Sequence, residues 1–149
     1  IVMYQPEIPQ NTGNIARTCV LTGSKLHLIK PLGFDISSKQ VKRAGLDYWD
    51  ELQLEVHESY EEFMKKYGDK KIYLATTHGG EHYDEIKFNE GDFIMFGRET
   101  CGVPEDVHNA HEGLRVPMIK TSTRSLNLSN TVAIVAYEAL RQMGFPNMK

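Results

Sequence analysis

Segments with the pattern of strands alternate with segments with the pattern of helices along the whole chain, and this alternation restricts the fold more than any other feature. Short apolar runs bounded by Gly, Pro or charged residues predict strands at 1–4, 25–30, 52–57, 70–77, 92–97 and 113–118. Capping residues and helical periodicity predict helices at 11–23, 37–45, 59–68, 104–110 and 131–143. Such alternation is typical of an α/β fold, in which a mostly parallel sheet is flanked by helices.

The size and composition of the chain predict one domain, residues 1–149. A chain of 149 residues is long enough to enclose a core, and 40% apolar with 25% charged residues is ordinary for a globular protein. No apolar run approaches the roughly 18 residues of a membrane span. Two cysteines without a C-x-x-C spacing fit thiols in a reducing compartment. We therefore expect a cytoplasmic protein with no membrane association.

Charge and motif content argue against several classes of binding protein. The net charge of −3 argues against a broadly basic protein that coats nucleic acid, so contact with RNA would need local basic clusters or a second subunit. Neither G-x-G-x-x-G nor G-x-x-x-x-G-K-[ST] occurs, which argues against a dinucleotide or P-loop triphosphate site. His78 and His82 lack a helical frame, and His108 and His111 lack a third ligand, so no metal site is predicted.

Unusual loops follow several of the predicted strands. They are 75–80, 96–104 and 116–130, together with the loop after the first strand. Ligands of open parallel sheets bind beyond the carboxyl ends of the strands, where these loops begin. Eight of the ten residues from Thr121 to Asn130 are polar, although Ser125, Asn127 or Ser129 alone would cap the following helix. The surplus of hydroxyl and amide groups raises the question of a second role for this loop.

Three segments together resemble the motifs of one enzyme family. They are NTGNIAR (11–17), FGRETCGVP (96–104) and RVPMIKTSTRSLNLSNTVAIVAYE (115–138). In this order and spacing they are similar to the three motifs of the SpoU/TrmH-type RNA 2′-O-ribose methyltransferases, within the SPOUT superfamily. The resemblance covers essentially the whole chain and is greatest to the small tRNA (cytidine/uridine-2′-O)-methyltransferase branch, which lacks an extra RNA-binding domain. It implies methyl transfer from S-adenosylmethionine to the ribose of the wobble nucleotide of leucine tRNAs.

The same resemblance implies a C-terminal trefoil knot, in which the polar loop before the last helix wraps the cofactor. Composition and periodicity by themselves do not indicate the knot. Carried over by position, the S-adenosylmethionine site comprises Ala75, Thr76, Gly97, Glu99, Gly102, Val116, Met118, Ser125, Leu126 and Asn127. Val116, Met118 and Leu126 could form an apolar slot for the adenine, and the glycines allow the backbone to approach the ligand.

The resemblance also implies a set of catalytic residues. Arg17 matches the catalytic arginine of the family. Because a guanidinium keeps its proton to above about pH 12, we expect Arg17 to grip the target phosphate rather than act as a base. Asn14 could fix Arg17 or the ribose, and Glu99 could support the site by holding Arg17. Asn127 matches the asparagine of the third motif, and Tyr137 matches a tyrosine near the catalytic centre.

Each of these residues also has a simpler structural explanation. Arg17 could be a surface residue of a helix, Asn14 a residue at a helix start and Glu99 a solvated loop residue. Asn127 could only cap the last helix, and Tyr137 could only pack in the core or in an interface. The functional interpretation is favoured because the residues occur within three motifs of one family.

The last predicted helix is apolar on most of its faces, which indicates burial on more than one side. A domain of this size covers one side, so a partner would cover the rest, and the resemblance implies a homodimer with active sites beside the interface. The candidate residues for contact with tRNA phosphates are Arg17, Lys42, Arg43 and Arg124, with Lys39 and Lys120 as further basic residues. A solvated face with compensating acidic residues would explain the same basic residues.

A non-catalytic RNA- or nucleotide-binding module on the same scaffold is the main alternative. A pure binding protein would not need Arg17, Glu99, Ser125 and Asn127 together, which favours the enzyme. A Rossmann-like oxidoreductase is disfavoured because the phosphate-binding fingerprint is missing.

Overall fold

The computed structural model describes residues 1–37, 39–44 and 46–149, without the side chains of residues 40, 42, 44 and 46–48. Over this part of the chain, the strands are β1 (Val2–Tyr4), β2 (Leu26–Ile29), β3 (Leu54–His57), β4 (Ile72–Ala75), β5 (Glu81–His82), β6 (Phe93–Phe96) and β7 (Glu112–Arg115). The α-helices are α1 (Pro9–Thr22), α2 (Lys39–Ala44), α3 (Tyr60–Tyr67), α4 (Glu105–Ala110) and α5 (Leu128–Gln142), and a 3-10 helix spans Leu46–Glu51.

All neighbouring strands pair in parallel, in the order β3-β2-β1-β6-β4-β7-β5. The predicted α/β fold with a mostly parallel sheet is therefore confirmed. β1 lies in the interior of the sheet, between β2 and β6. The two-residue strand β5 at the sheet edge was not predicted, since it is too short to show an alternating pattern. The C-terminal trefoil knot implied by the resemblance stays a prediction.

Both faces of the sheet are covered by helices, which explains why the central strands are almost entirely apolar. Met3 of β1 points into a cluster with Ile15 of α1 and Val132 of α5. Its neighbour Val2 points to the opposite face, into a cluster that includes Phe63 of α3. The side chains of successive strand residues point in opposite directions, so one apolar run supplies both cores.

The long helices begin earlier than predicted. Helix α1 begins at Pro9 rather than at residue 11, and it ends at Thr22, followed by the C-cap Gly23, whose φ of 71° is left-handed. Helix α5 begins at Leu128 rather than at residue 131. Asn127 Oδ1 accepts hydrogen bonds from the backbone N–H groups of Ser129 (2.9 Å) and Asn130 (3.4 Å). This cap draws the last polar residues of the loop into the first turn of the helix.

The short helices agree more closely with the sequence pattern. In α3, which lies within the predicted segment 59–68, Ser59 Oγ accepts a hydrogen bond from the backbone N–H of Glu62 (3.1 Å) and so caps the helix. Helix α2 spans Lys39–Ala44 within the predicted segment 37–45, while its predicted stop at Gly45 lies outside the described residues. No helix in the described part of the chain has the length and apolar character needed to cross a membrane.

Candidate active site

A cavity of about 540 Å³ opens at the carboxyl ends of β4, β6 and β7. Its walls are the loops that follow these three strands, together with the start of α1. All ten residues predicted to hold the cofactor line this cavity: Ala75, Thr76, Gly97, Glu99, Gly102, Val116, Met118, Ser125, Leu126 and Asn127. Because neighbouring parallel strands end at the same edge of the sheet, loops far apart in sequence meet there.

The loop after β6 is a tight backbone turn. Arg98 and Gly102 exchange backbone hydrogen bonds of 3.0 Å, and the Arg98 Nε–H donates to the Gly102 carbonyl at 2.8 Å. A Cβ on Gly97 would lie 2.7 Å from the Cα of Gly102, and Gly102 itself has a φ of 64°. Both positions therefore require glycine, one for the close backbone contact and one for the left-handed conformation.

The Glu99 carboxylate fastens this loop to the beginning of α1. It accepts hydrogen bonds from the backbone N–H groups of Glu7 (2.9 Å) and Ile8 (2.7 Å) and from Asn11 Nδ2 (3.3 Å). The N-cap residue Ile8 has no side-chain acceptor of its own, so Glu99 supplies an anionic acceptor beside the helix N-terminus. The hydrogen bonds described for Glu99 thus go to the helix start.

Glu7 makes the reciprocal contact to the same loop. Its Oε1 accepts hydrogen bonds from the backbone N–H of Thr100 (3.0 Å) and from Thr100 Oγ1 (2.8 Å). These bonds lower the pKa of Glu7, with the backbone bond as the larger cause. Two carboxylates therefore tie the loop after β6 to the segment that enters α1.

Asn11 extends the network to α5. It is 5% exposed, and its Oδ1 accepts a hydrogen bond from Asn127 Nδ2 at 3.1 Å. Asn127 uses its other side-chain atom, Oδ1, to cap α5. The two asparagines thus join the helix starts that follow β1 and β7, next to Glu99. Asn11 was not among the predicted site residues, although it stands in the same NTGNIAR motif as Asn14.

A second polar cluster fixes the loop after β4. The hydroxyl of Thr76 accepts a hydrogen bond from the backbone N–H of His78 at 3.0 Å. The Nε2 atom of His108, on α4, lies 3.4 Å from Thr76 Oγ1 and 3.2 Å from the carbonyl oxygen of His78. His78 and His108 therefore line the cavity as polar wall residues, a role that sequence reasoning missed because neither residue lies within the three motifs.

The remaining predicted catalytic residues do not line the cavity. Asn14 and Arg17 are on the exposed side of α1, and Tyr137, 43% exposed, is on α5. Asn14, Arg17 and Leu21 follow a spacing of three and four residues, so they share one helix face. The cavity of a single chain thus contains the predicted cofactor residues but not Arg17.

The predicted RNA-binding residues whose side chains are described are all exposed. Arg124 is exposed in the loop before α5, next to the cavity residue Ser125, and Arg43 is exposed on α2. Lys39 and Lys120 are exposed as well. The side chain of Lys42 lies outside the described part of the structure.

Comparison with known proteins gives consistent matches over nearly the full chain. The model of the SpoU rRNA methylase family matches residues 1–137. The tRNA (cytidine(34)-2'-O)-methyltransferase of Escherichia coli K12 is 43% identical, with 98% of this chain and 94% of the relative covered. A solved structure described as "Structural insights into the 2-OH methylation of C/U34 on tRNA" is 45% identical with a TM-score of 0.92, covering 96% of this chain and 94% of its own.

A more distant structure shares the fold. The SpoU methyltransferase AviRb from Streptomyces viridochromogenes, solved in complex with the cofactor AdoMet, is 22% identical with a TM-score of 0.87. The alignment covers 95% of this chain and 59% of that protein. Together with the family match, these similarities show that the chain belongs to the SpoU rRNA methylase family.

Proposed function

We infer that this chain is a tRNA 2′-O-methyltransferase that uses S-adenosylmethionine to methylate the ribose of nucleotide 34, a cytidine or uridine. The observation that carries the inference is the assembly of residues from all three motifs around one cavity at the carboxyl edge of the sheet. The relatives that cover nearly the whole chain carry this activity in their names. The resemblance in sequence adds leucine tRNAs as the expected substrates.

The cavity fits an adenosine cofactor in size and chemistry. Its volume of about 540 Å³ is in the range of small-molecule sites. Met118 and Leu126 line it with 39% and 40% of their surface exposed, so apolar area is available for a flat ring. The backbone near Gly97 and Gly102 carries no Cβ and can approach a ligand closely. When bound, S-adenosylmethionine supplies the electrophilic methyl group of its sulfonium.

The residues of the chain then have to position the ribose hydroxyl and stabilise the charges that develop. The network of Glu99, Asn11 and Asn127 holds three loops in one arrangement, which favours the alignment of the reacting atoms. Arg17 is suited to bind the target phosphate as a two-pronged donor, because a planar guanidinium presents paired N–H groups. Asn14, three residues earlier on the same helix face, could orient Arg17 or the ribose.

We propose that the complete site forms only in a homodimer. Within one chain Arg17 is outside the cavity, on a helix face that also carries Leu21, which is 55% exposed. Helix α5 adds Tyr137, which is 43% exposed. A second copy that covers these apolar residues would bring the α1 face of one subunit towards the cavity of the other. The tRNA would then contact Arg124, Arg43 and Lys42 around the shared site.

The experiment combines cofactor titration with a methylation assay. Calorimetric titration with S-adenosylmethionine and S-adenosylhomocysteine is expected to give saturable binding with one site per chain. Leucine tRNA transcripts with cytidine or uridine at position 34 are then incubated with enzyme and cofactor, and methylation is located by mass spectrometry of nuclease fragments. A transcript with a 2′-deoxynucleotide at position 34 is the matched control, since it lacks the hydroxyl that accepts the methyl group.

The possible outcomes separate the enzyme from its alternatives. Methylation at position 34 in the normal transcript alone supports the proposal. A folded protein that binds neither cofactor form contradicts it and favours a non-catalytic RNA-binding module. Cofactor binding with methylation at another nucleotide would support the assignment as an RNA methyltransferase but contradict nucleotide 34 as the target.

A further inference from the structure

Two histidines and a glutamate meet at the β2–β3 edge of the sheet, on residues that the cavity described above does not use. His27 of β2 is in register with Glu55 of β3, and His57 follows two residues after Glu55. Paired strand residues point to the same face, as do residues two apart. The three side chains therefore converge on one face, where α3 covers them with Phe63 and Tyr67.

The donor atoms of the three side chains form a triangle of the size that a zinc ion requires. His27 Nδ1 lies 3.0 Å from His57 Nε2, and Glu55 Oε2 lies 3.6 Å from the former and 3.3 Å from the latter. Ligand atoms bound about 2.0 to 2.1 Å from a tetrahedral zinc ion are separated by roughly 3.4 Å. The observed distances bracket this value, so small side-chain movements would place all three atoms around one ion.

Both histidines are withdrawn from solvent. His27 is 2% exposed and His57 is 6% exposed. The rings of Phe63 and Tyr67 pack against both imidazoles and fix their orientation. Without an ion, His27 Nδ1 and His57 Nε2 share one proton in a hydrogen bond. A divalent ion between them would instead be bound by a lone pair of each nitrogen.

A surrounding layer of polar groups fixes the carboxylate. Lys66 Nζ binds Glu55 Oε1 at 2.5 Å, and the single Tyr67 O–H, which lies 2.8 Å from Oε2 and 3.1 Å from Oε1, donates to the carboxylate. Lys25 Nζ lies 3.7 Å from the same oxygen, Oε1. The lysines thus contact Oε1, and an ion bound by Oε2 would share that oxygen with the Tyr67 hydroxyl. Such outer contacts orient metal ligands in known sites.

We propose that His27 Nδ1, Glu55 Oε2 and His57 Nε2 form a zinc site that fastens β3 to β2. Two imidazoles and one carboxylate suit Zn²⁺ better than Mg²⁺ or Ca²⁺, which prefer oxygen ligands. Of the three proposed ligands, His27 lines a separate cavity of about 900 Å³, so an ion would enter from the His27 side. The role of the site is structural, because none of its residues lines the candidate active site.

The test uses ZnCl₂ alone, without cofactor or tRNA, so its result is independent of the proposed methyl transfer. The purified chain is treated with a chelator, desalted at pH 7.5 and titrated by calorimetry. Saturable binding of one Zn²⁺ per chain is expected, with a rise in Tm. Glu55→Gln should weaken Zn²⁺ binding at least about tenfold. His82→Gln, which removes a histidine outside the cluster, should bind zinc as the unchanged chain does.

A spectroscopic measurement on the unchanged protein covers the case in which Glu55→Gln fails to fold. Nitrogen-15 spectra of the histidine rings should shift at Nδ1 of His27 and at Nε2 of His57 on addition of Zn²⁺. Absence of binding, or binding that leaves these two nitrogens unshifted, would overturn the proposal. Equal zinc affinity of a folded Glu55→Gln variant and the unchanged chain would overturn it as well.

Discussion

At the residue scale, the candidate active site depends on side chains whose roles differ from what their local sequence suggests. Glu99, in a glycine-rich loop, accepts two backbone hydrogen bonds at the start of α1. Asn127 is a helix cap and also a donor to Asn11. Asn127 can therefore cap α5 and also take part in the site, because one amide group offers both an acceptor and a donor.

Arg17 provides the most direct test of the catalytic assignment. Arg17→Ala is expected to reduce methyl transfer by about 100-fold or more, since the target phosphate would lose its orienting partner, while the affinity for S-adenosylmethionine stays nearly unchanged. Steady-state methylation and cofactor titration measure the two effects. Arg141→Ala removes an exposed arginine of α5 and serves as the control. Normal turnover in Arg17→Ala would show that the arginine has no part in the reaction.

Gly97 tests the tight turn after β6. Gly97→Ala would put a methyl group 2.7 Å from the backbone of Gly102, which should cost about 1 to 3 kcal/mol and weaken cofactor binding. Gly91→Ala is the matched control, because its φ of 88° makes an alanine strained without any neighbouring atom within 4 Å. Thermal unfolding and cofactor titration should show a loss of stability in both variants and a loss of affinity only in Gly97→Ala.

At the scale of elements, the starts of α1 and α5 are joined by one amide pair. Asn11 and Asn127 are 116 residues apart in sequence and hydrogen-bonded at 3.1 Å. Each helix is the next element after a strand that ends at the carboxyl edge of the sheet, α1 after residues 5–8 and α5 after the loop 116–127. The pair therefore couples the stability of α5 to the shape of the cavity.

Substitutions of Asn127 can separate its two roles. Asn127→Ala removes the cap of α5 and should lower the free energy of unfolding by about 1 to 2 kcal/mol. Asn127→Asp keeps an acceptor for the cap but loses the donor to Asn11, so stability should be largely retained while cofactor affinity falls. Chemical denaturation and calorimetry distinguish the cases, with Asn130→Ala as a control on the same helix. Full cofactor affinity in Asn127→Asp would exclude a role for the amide pair in the cavity.

At the scale of the whole molecule, α1 and α5 each leave a large apolar side chain exposed. Leu21 is 55% exposed and Tyr137 is 43% exposed. The proposed homodimer would cover these residues and bring Arg17 towards the cavity of the partner chain.

A charge at Leu21 should prevent association. Leu21→Glu is expected to convert the dimer into a monomer, because the dimer would bury an unpaired carboxylate, and methyl transfer should be lost with it. Light scattering after size-exclusion chromatography measures the molecular mass. Val56→Glu introduces the same charge at another exposed apolar position, 36% exposed on β3, and should remain dimeric. A Leu21→Glu variant with the dimer mass would refute the proposed interface.

The sequence by itself determined the class of fold and the candidate loops. Helix caps such as Ser59, apolar strand runs and the polar stretch before α5 act over a few residues, so their patterns are visible without coordinates. The starts of α1 and α5 were predicted least accurately. Glu99 and Asn127 accept hydrogen bonds from the backbone there, and the periodicity of the helix sequence does not show such contacts. The ten predicted cofactor residues were identified from the motif resemblance, and in the structure all ten line one cavity.

Only the tertiary structure decided which distant residues meet. The position of β1 inside the sheet, the link between Asn11 and Asn127, and the grouping of His27 with Glu55 and His57 all follow from strand order and register. Local propensity carries no information on these long-range pairings, since the same helix and strand segments are compatible with many strand orders. The free energy of packing both faces of the sheet selects one order, and the site geometry follows from it.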